Sequence, residues 1–322
     1  MSKNSFEKIN FRIRPSKNIE RKMFLEILRR LAHIHSLDDY QYVGMGGIYF
    51  VDCRLFHKRL GINKIISIEK EQGKSKRFNY NNPFDCIEIK FGHSTEELPK
   101  LDWEQPTILW LDYDTGLKPY MFSDIKQFLQ SAVPGSVIFV TVNADTTNIS
   151  KFDNDDYPFD DRFEELKDDI GRENIPPNVK DEDLRGWDKA DVYKKILEYK
   201  IQSTLDIHNG GLPNEEKKDF RQLVNFRYQD SAKMMTYGGI LYSDNISEGY
   251  EEAHFEKIPH VQKGTDVYKI KTPKLTFAEM RGLDKELPTK NPKDIDIPVP
   301  AMDKKEYSNI YRYFPRFAEA NF

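Results

Sequence analysis

A glycine turn and a carboxylate 25 residues beyond it give the first sign of chemistry in this 322-residue chain. Tyr42–Val43 runs into Gly44–Met45–Gly46–Gly47, and Ile65–Ile66–Ser67–Ile68 ends on Glu69. Glycines without a Cβ let the backbone approach a bound cofactor, and the next helix N-terminus adds a positive dipole end. A carboxylate closing the second strand can accept both hydroxyl hydrogens of a ribose. Strand, glycines, helix, strand and acid in that order predict a nucleotide-like cofactor. The plainer readings are a tight turn that binds nothing and a glutamate at a strand end. Three further apolar runs end on polar residues: Phe91–Gly92–His93–Ser94, Leu111–Asp112–Tyr113–Asp114 and Asn143–Ala144–Asp145. Open α/β sheets bind ligands at that carboxyl edge. Carboxylates and an amide oxygen converging there, Asp112, Asn143 and Asp145 with Asp114 beside them, suit Mg²⁺. Hydrogen-bonding loop residues are the alternative.

The elements that must position these groups read as an alternating α/β pattern. Strands are expected at Tyr40–Val43, Lys64–Ile68, Asp85–Lys90, Thr107–Leu111 and Ser136–Val142. Helical patterns lie between them at Val51–Leu60 and Met121–Ser131, with shorter ones near Glu71–Tyr80 and Thr95–Leu98. Ahead of them, Asn18 is a plausible N-cap for a helix through about His35, with Ile19, Met23, Ile27, Leu28 and Leu31 as its apolar stripe. An acidic region follows the fifth strand: Lys151–Arg185 holds 13 acidic and 6 basic residues. Part of it must be helical, as Ala190–Lys200 suggests. Gln222–Tyr228 and Lys233–Tyr242 then form a hairpin across Gln229–Ala232. The division is a basic N-terminal extension over 1–38, a core domain over 39–244 with an insertion at about 144–219, and a C-terminal extension over 245–322 that packs on the domain.

Composition narrows the class. A net charge of −4 does not mark a generic polyanion binder, and the two cysteines, Cys53 and Cys86, fit neither a disulfide framework nor a cysteine-rich metal site. A reducing cytoplasm is the expected compartment, and no apolar run is long enough to span a membrane. The first 35 residues hold 9 basic and 3 acidic side chains. Arg12, Arg14, Lys17, Arg21 and Lys22 are candidates for a phosphate-contacting patch, or for a solvated face that pairs with the acidic region across one chain or two. A homo-oligomer or a larger assembly is compatible with either.

Five βα-type strands, an insertion and a terminal antiparallel hairpin resemble the class I methyltransferase fold, with seven strands and the last antiparallel. More narrowly, the chain resembles a bacterial family of putative O-methyltransferases. The likeness rests on Arg14–Pro15–Ser16–Lys17–Asn18–Ile19–Glu20–Arg21–Lys22–Met23, on Tyr42 to Phe50, on Phe56–His57, and on Tyr311–Arg312–Tyr313–Phe314–Pro315. The resemblance implies S-adenosylmethionine as cofactor. Gly44, Gly46 and Gly47 would admit its methionine part, Glu69 would take the ribose, and Gly92, His93 and Ser94 would lie near adenine. Asp112 or Asp114 would orient or deprotonate the acceptor. Asp112, Asn143 and Asp145 would hold Mg²⁺ as in catechol-type O-methyltransferases, although the order here is Asn-x-Asp rather than Asp-Asn. In addition, class I enzymes carry an acid two residues before the first glycine, where this chain has Tyr42, and their third glycine falls at Ile48. Tyr42 favours a second reading, a catalytically silent subunit. A third is an RNA- or nucleotide-modifying enzyme using the basic N-terminus. The Pro-Pro-Tyr/Phe ending of nucleobase N-methyltransferases is missing, which speaks against that chemistry. Tyr307, Tyr311 and Phe314 fall on one helical face and are expected to dock on the core.

Overall fold

The central strands are apolar along their whole length, as strands covered on both faces must be. In the computed structural model, which describes residues 14–145 and 161–315, they form one eight-stranded sheet. In chain order its strands are β1 (Gln41–Gly44), β2 (Lys64–Glu69), β3 (Ile87–Phe91), β4 (Thr107–Asp112), β5 (Val137–Asn143), β6 (Asp219–Gln229), β7 (Lys233–Tyr242) and β8 (Tyr268–Ile270). Their spatial order is β3-β2-β1-β4-β5-β7-β6-β8, with β7 antiparallel to both its neighbours. The reversed strand is the one expected of the class I methyltransferase sheet. The expected count of seven falls one short, because β8 of the C-terminal extension adds a three-residue parallel edge to β6.

Alternation along each strand divides the core in two. Tyr42, Ile108, Trp110, Val137 and Phe139 face one side, and Val43, Leu109, Leu111, Ile138 and Val140 the other. On the first side lie α1 (Pro15–Arg29) and α2 (Val51–Leu60); Phe24 of α1 stacks on Phe139 at 4.1 Å and meets Trp110 edge-on at 4.7 Å. The second side is covered by α5 (Pro119–Ser131) and by α7 (Asp188–His208), the long helix of the insertion. The remaining helices are α3 (Ser75–Asn81), α4 (Ser94–Glu97), α6 (Asp161–Ile170), α8 (Ser247–Glu252), α9 (Phe277–Glu286) and α10 (Ala301–Ile310).

Helix α1 begins three residues before the expected cap. Pro15 occupies its first turn, where a missing N–H costs nothing, and Arg14 rather than Asn18 is the N-cap residue. The open amides are satisfied from a distance: Asp230, in the β6–β7 turn, accepts Ser16 N–H at 3.0 Å and Lys17 N–H at 3.2 Å. The C-terminal extension clasps the same helix. Lys22 Nζ donates to the Tyr313 carbonyl at 2.9 Å and Tyr313 hydroxyl bonds Glu26. Tyr307 is buried with Met280, Leu283 and Ile295, and Tyr311 and Phe314 pack against them. Among the described residues no helix is long and apolar enough to cross a membrane. Arg12 and residues 151–160 of the acidic region lie outside the described residues.

Candidate functional site

The glycine turn closes β1 and opens toward a cleft at the carboxyl edge of the sheet. Gly46 is pressed against its surroundings: a Cβ there would lie 2.8 Å from Ser67 Oγ and 3.2 Å from Cys53 Sγ. Gly47 has φ +57°, left-handed backbone that favours glycine, and a Cβ there would meet nothing within 4 Å. Both line the cleft, whose volume is about 290 Å³. Gly44 does not line it. A Cβ on Gly44 would sit 2.3 Å from the hydroxyl of Tyr42, so this glycine makes room for a buried phenol rather than for a ligand.

Glu69 ends β2, the strand beside β1, and lines the same cleft. The hydroxyl of Ser67 links the turn to this acid, accepting the Gly46 N–H at 3.2 Å and donating to Glu69 Oε1 at 2.9 Å. Burial pushes the Glu69 carboxyl up to about 7, against the Ser67 hydroxyl and the Gly47 N–H, which favour the ionised form. The expected acid is therefore present, directed by the turn itself, and poised near neutrality.

Of the three residues expected after β3, one reaches the cleft. Ser94 lines it, and its hydroxyl donates to Asp124 Oδ2 at 2.5 Å, an oxygen that also accepts from Tyr113 at 2.7 Å. Burial raises the Asp124 carboxyl pKa and those two donors lower it. Gly92 packs instead against Glu97, whose Oε1 lies 2.6 Å from where a Cβ would be, and its N–H bonds the Glu69 carbonyl. His93 caps α4 through Nδ1, 2.7 Å from Thr95 Oγ1, and stands edge-on behind Tyr120 at 4.8 Å. Tyr120, not His93, presents a ring to the cleft.

At the end of β4 the two candidate catalytic carboxylates have different surroundings. Asp112 Oδ1 accepts a 2.7 Å hydrogen bond from Lys17 Nζ. That ammonium also donates to the Tyr228 hydroxyl at 3.2 Å, lies 2.9 Å from Glu20 Oε2, and sits 4.3 Å over the Trp110 ring. Glu20 is fully buried; burial raises its carboxyl pKa and Lys17 opposes that rise. Asp114 is exposed and borders two cavities. The second, of about 320 Å³, lies between the ends of β4 and β5 and helices α6 and α7. Its polar lining includes Lys118, Asn143, Asp145, Arg162, Lys189 and Tyr193.

That division bears on Mg²⁺. Asp112 faces the cleft, whereas Asn143 and Asp145 face the second cavity, and Asn143 Oδ1 is taken by the Asp145 N–H at 2.7 Å. Among the described residues no three His, Cys, Asp or Glu side chains are grouped to hold a metal ion. The proposed ligand set does not converge, so no step is assigned to a metal. Of the phosphate-patch candidates, Arg12 lies outside the described residues, and three of the others are engaged within the fold. Lys17 is 1% exposed, Arg21 is 3% exposed and bonded to Asp52, and Arg14 lies 3.4 Å from Asp230. Arg14 and Arg21 nevertheless also line the cleft.

Several cleft residues escaped the sequence reading: Arg21, Met45, Asp52, Ile68, Lys70, Tyr113 and Tyr120. Asp52 alone carried a local signal, as an acid in the first turn of the helix after the glycines.

Residues 9–322 match a family model described as Putative O-methyltransferase. No curated protein matches the chain. Among solved structures, Trm1 from Pyrococcus horikoshii with S-adenosyl-L-methionine is similar at 10% identity over 73% of this chain, with a TM-score of 0.44. The match spans 58% of that protein, less than two thirds of its length. The O-methyltransferase TomG from Streptomyces achromogenes, involved in tomaymycin synthesis and in complex with the same compound, is 14% identical over 68% of this chain and 80% of its own, with a TM-score of 0.36. A putative O-methyltransferase from Klebsiella pneumoniae is 13% identical over 70% and 80%, with a TM-score of 0.37.

Proposed function

The chain belongs to the putative O-methyltransferase family, and from that premise we propose that it binds S-adenosylmethionine and transfers the methyl group to an oxygen of a small polar acceptor. The observation that carries this reading is the single cleft holding Gly46, Gly47 and Glu69, tied together through Ser67. Its lining suits the cofactor: a glycine turn in which Gly46 has no room for a Cβ and Gly47 takes left-handed backbone, a carboxylate for vicinal hydroxyls, and the Tyr113 and Tyr120 rings beside Ser94 for a flat base. When bound, the cofactor supplies an electrophilic methyl group.

The chain's own contribution is positioning. Glu69 accepts hydrogen bonds from the ribose hydroxyls. The second cavity, which meets the cleft at Asp114, receives the acceptor, with Lys118, Asn143, Lys189 and Tyr193 fixing its orientation. Asp114 orients the acceptor hydroxyl and takes its proton, while Asp112 is held in the Lys17 pair. In-line displacement demands little more than a near-attack arrangement of acceptor and methyl group, and two cavities meeting at Asp114 give each reactant a place.

The test is calorimetric titration of the full chain with S-adenosylmethionine and S-adenosylhomocysteine, alongside thermal melting. Heat on titration and a rise in Tm by linkage are expected. Neither signal at millimolar ligand would leave the silent-subunit reading in place.

A further inference from the structure

The strand acid that class I methyltransferases carry is replaced here by Tyr42, a fully buried phenol whose hydroxyl has no partner among the described residues. A neutral phenol beneath Gly44 cannot neutralise a cationic ligand group. The cleft nevertheless has an acid and a base at that end. Asp52, the second residue of α2, and Arg21, from α1, both line it beside the glycine turn. Arg21 Nε donates to Asp52 Oδ1, and each residue is 3% exposed.

A pair of opposite charges, almost wholly withdrawn from water, is expensive to keep at a cleft wall on stability grounds alone. It suits a ligand that brings both signs. The amino-acid head of S-adenosylmethionine has an ammonium and a carboxylate, each of which must find an opposite charge when it leaves water. The rest of the cleft agrees with that orientation. Glu69 stands at the end of β2 for the ribose, while Ser94 and Tyr113 meet at Asp124 of α5 with the Tyr120 ring 5.8 Å from that of Tyr113. The turn side, with Arg21 and Asp52, is left for the head.

Building on the cofactor reading above, we infer that Asp52 and Arg21 receive the charged amino-acid head of S-adenosylmethionine, Asp52 taking the ammonium and Arg21 the carboxylate. A carboxylate on helix α2 thus stands in for one on strand β1. The segment around Arg21 acquires a role as well: the N-terminal helix is a wall of the cofactor site.

The experiment compares two nucleosides by calorimetry on the full chain. S-adenosylhomocysteine has the head group, and 5′-methylthioadenosine has the same adenosine and sulfur without it. Wild-type protein should bind S-adenosylhomocysteine at least about tenfold more tightly, the scale of one charge-assisted hydrogen bond. Asp52→Asn, which keeps the side-chain shape, should erase at least about tenfold of that affinity and leave 5′-methylthioadenosine within about twofold. Equal wild-type affinity for the two nucleosides overturns the inference even if the variant fails to fold. Equal weakening of both ligands in Asp52→Asn also overturns it, since the pair would then only support the turn. Binding of neither nucleoside by the wild type is a different result: it removes the cofactor reading, and this inference with it.

Discussion

Lys17 Nζ lies 2.7 Å from Asp112 Oδ1, joining helix α1 to the carboxyl edge of the central strand β4 across 95 residues. The ammonium is buried against Trp110 and is shared with Glu20, which in turn accepts from Thr236. Thr236 Oγ1 is 2.8 Å from Thr141 Oγ1, which accepts the Trp110 indole N–H at 3.0 Å. A continuous polar path therefore runs under the sheet edge, and every link in it is engaged. Such networks fix one arrangement of the groups above them, at the risk that a single deletion strands a charge.

Lys17→Met should therefore be strongly destabilising, by about 3–5 kcal/mol, because Glu20 and Asp112 lose their shared counterion in a buried setting. Adding Glu20→Gln should recover part of that loss. Urea unfolding of the single and double variants checks both; a Lys17→Met protein as stable as wild type would show that the network carries no net coupling.

The same contact separates two carboxylates that look alike in sequence. Asp112→Asn should lower Tm by weakening the Lys17 pair. Asp114→Asn, at an exposed position between the two cavities, should leave Tm and cofactor affinity nearly unchanged. It should lower the methyl-transfer rate by about 10²–10⁴-fold, the range for a lost general base. Thermal melts and titrations can be run at once, and rates once an acceptor is found. A large Tm loss in Asp114→Asn alone would reverse the assignment.

Gly44 illustrates how a motif can be right in place and wrong in cause. Gly44→Ala puts a methyl 2.3 Å from the Tyr42 hydroxyl and 2.7 Å from its Cζ, with the ring fully buried. Overpacking of this kind costs about 1–3 kcal/mol. Tyr42→Val should relieve the clash, so the double variant should be less damaged than the two single effects predict. Additive losses in a double-mutant cycle would mean that Gly44 is required for something other than the ring.

The strands, the reversed hairpin strand, the glycine turn and Glu69 were legible because each is local: alternation, a glycine cluster and a strand-end acid are all written within a few residues. The walls contributed by α1 were not. Lys17 and Arg21 read as a solvated or phosphate-binding face because their partners, Asp112 and Asp52, lie 95 and 31 residues away. Long charged side chains are buried only when such partners exist, and no helical periodicity reveals them. His93 misled for the opposite reason. Its place after β3 is as expected, but Nδ1 serves the cap of α4 and leaves the cleft to Tyr120. The eighth strand, three residues long, has too few side chains to show a period of two.

Glu69 gives the sharpest dependence on conditions. Its folded pKa of about 7 lies above the ordinary carboxyl value of 4.5, so the folded chain holds a proton that the unfolded chain has already released. Stability of the ligand-free protein should then fall as pH rises from 4.5 to 7, by on the order of 3 kcal/mol for a shift of this size, and Glu69→Gln should flatten that slope. Ligand affinity should move the other way. A carboxylate that accepts two ribose hydroxyls must be ionised, so binding below pH 7 has to expel a proton. Affinity for S-adenosylhomocysteine should weaken about tenfold per pH unit on the acid side and level off above neutrality. Titrations at pH 6 in buffers of different ionisation enthalpy should report close to one proton released per site, and Glu69→Gln should release none. A pH-independent affinity with no proton release would mean that Glu69 binds in its neutral form or does not touch the ligand at all.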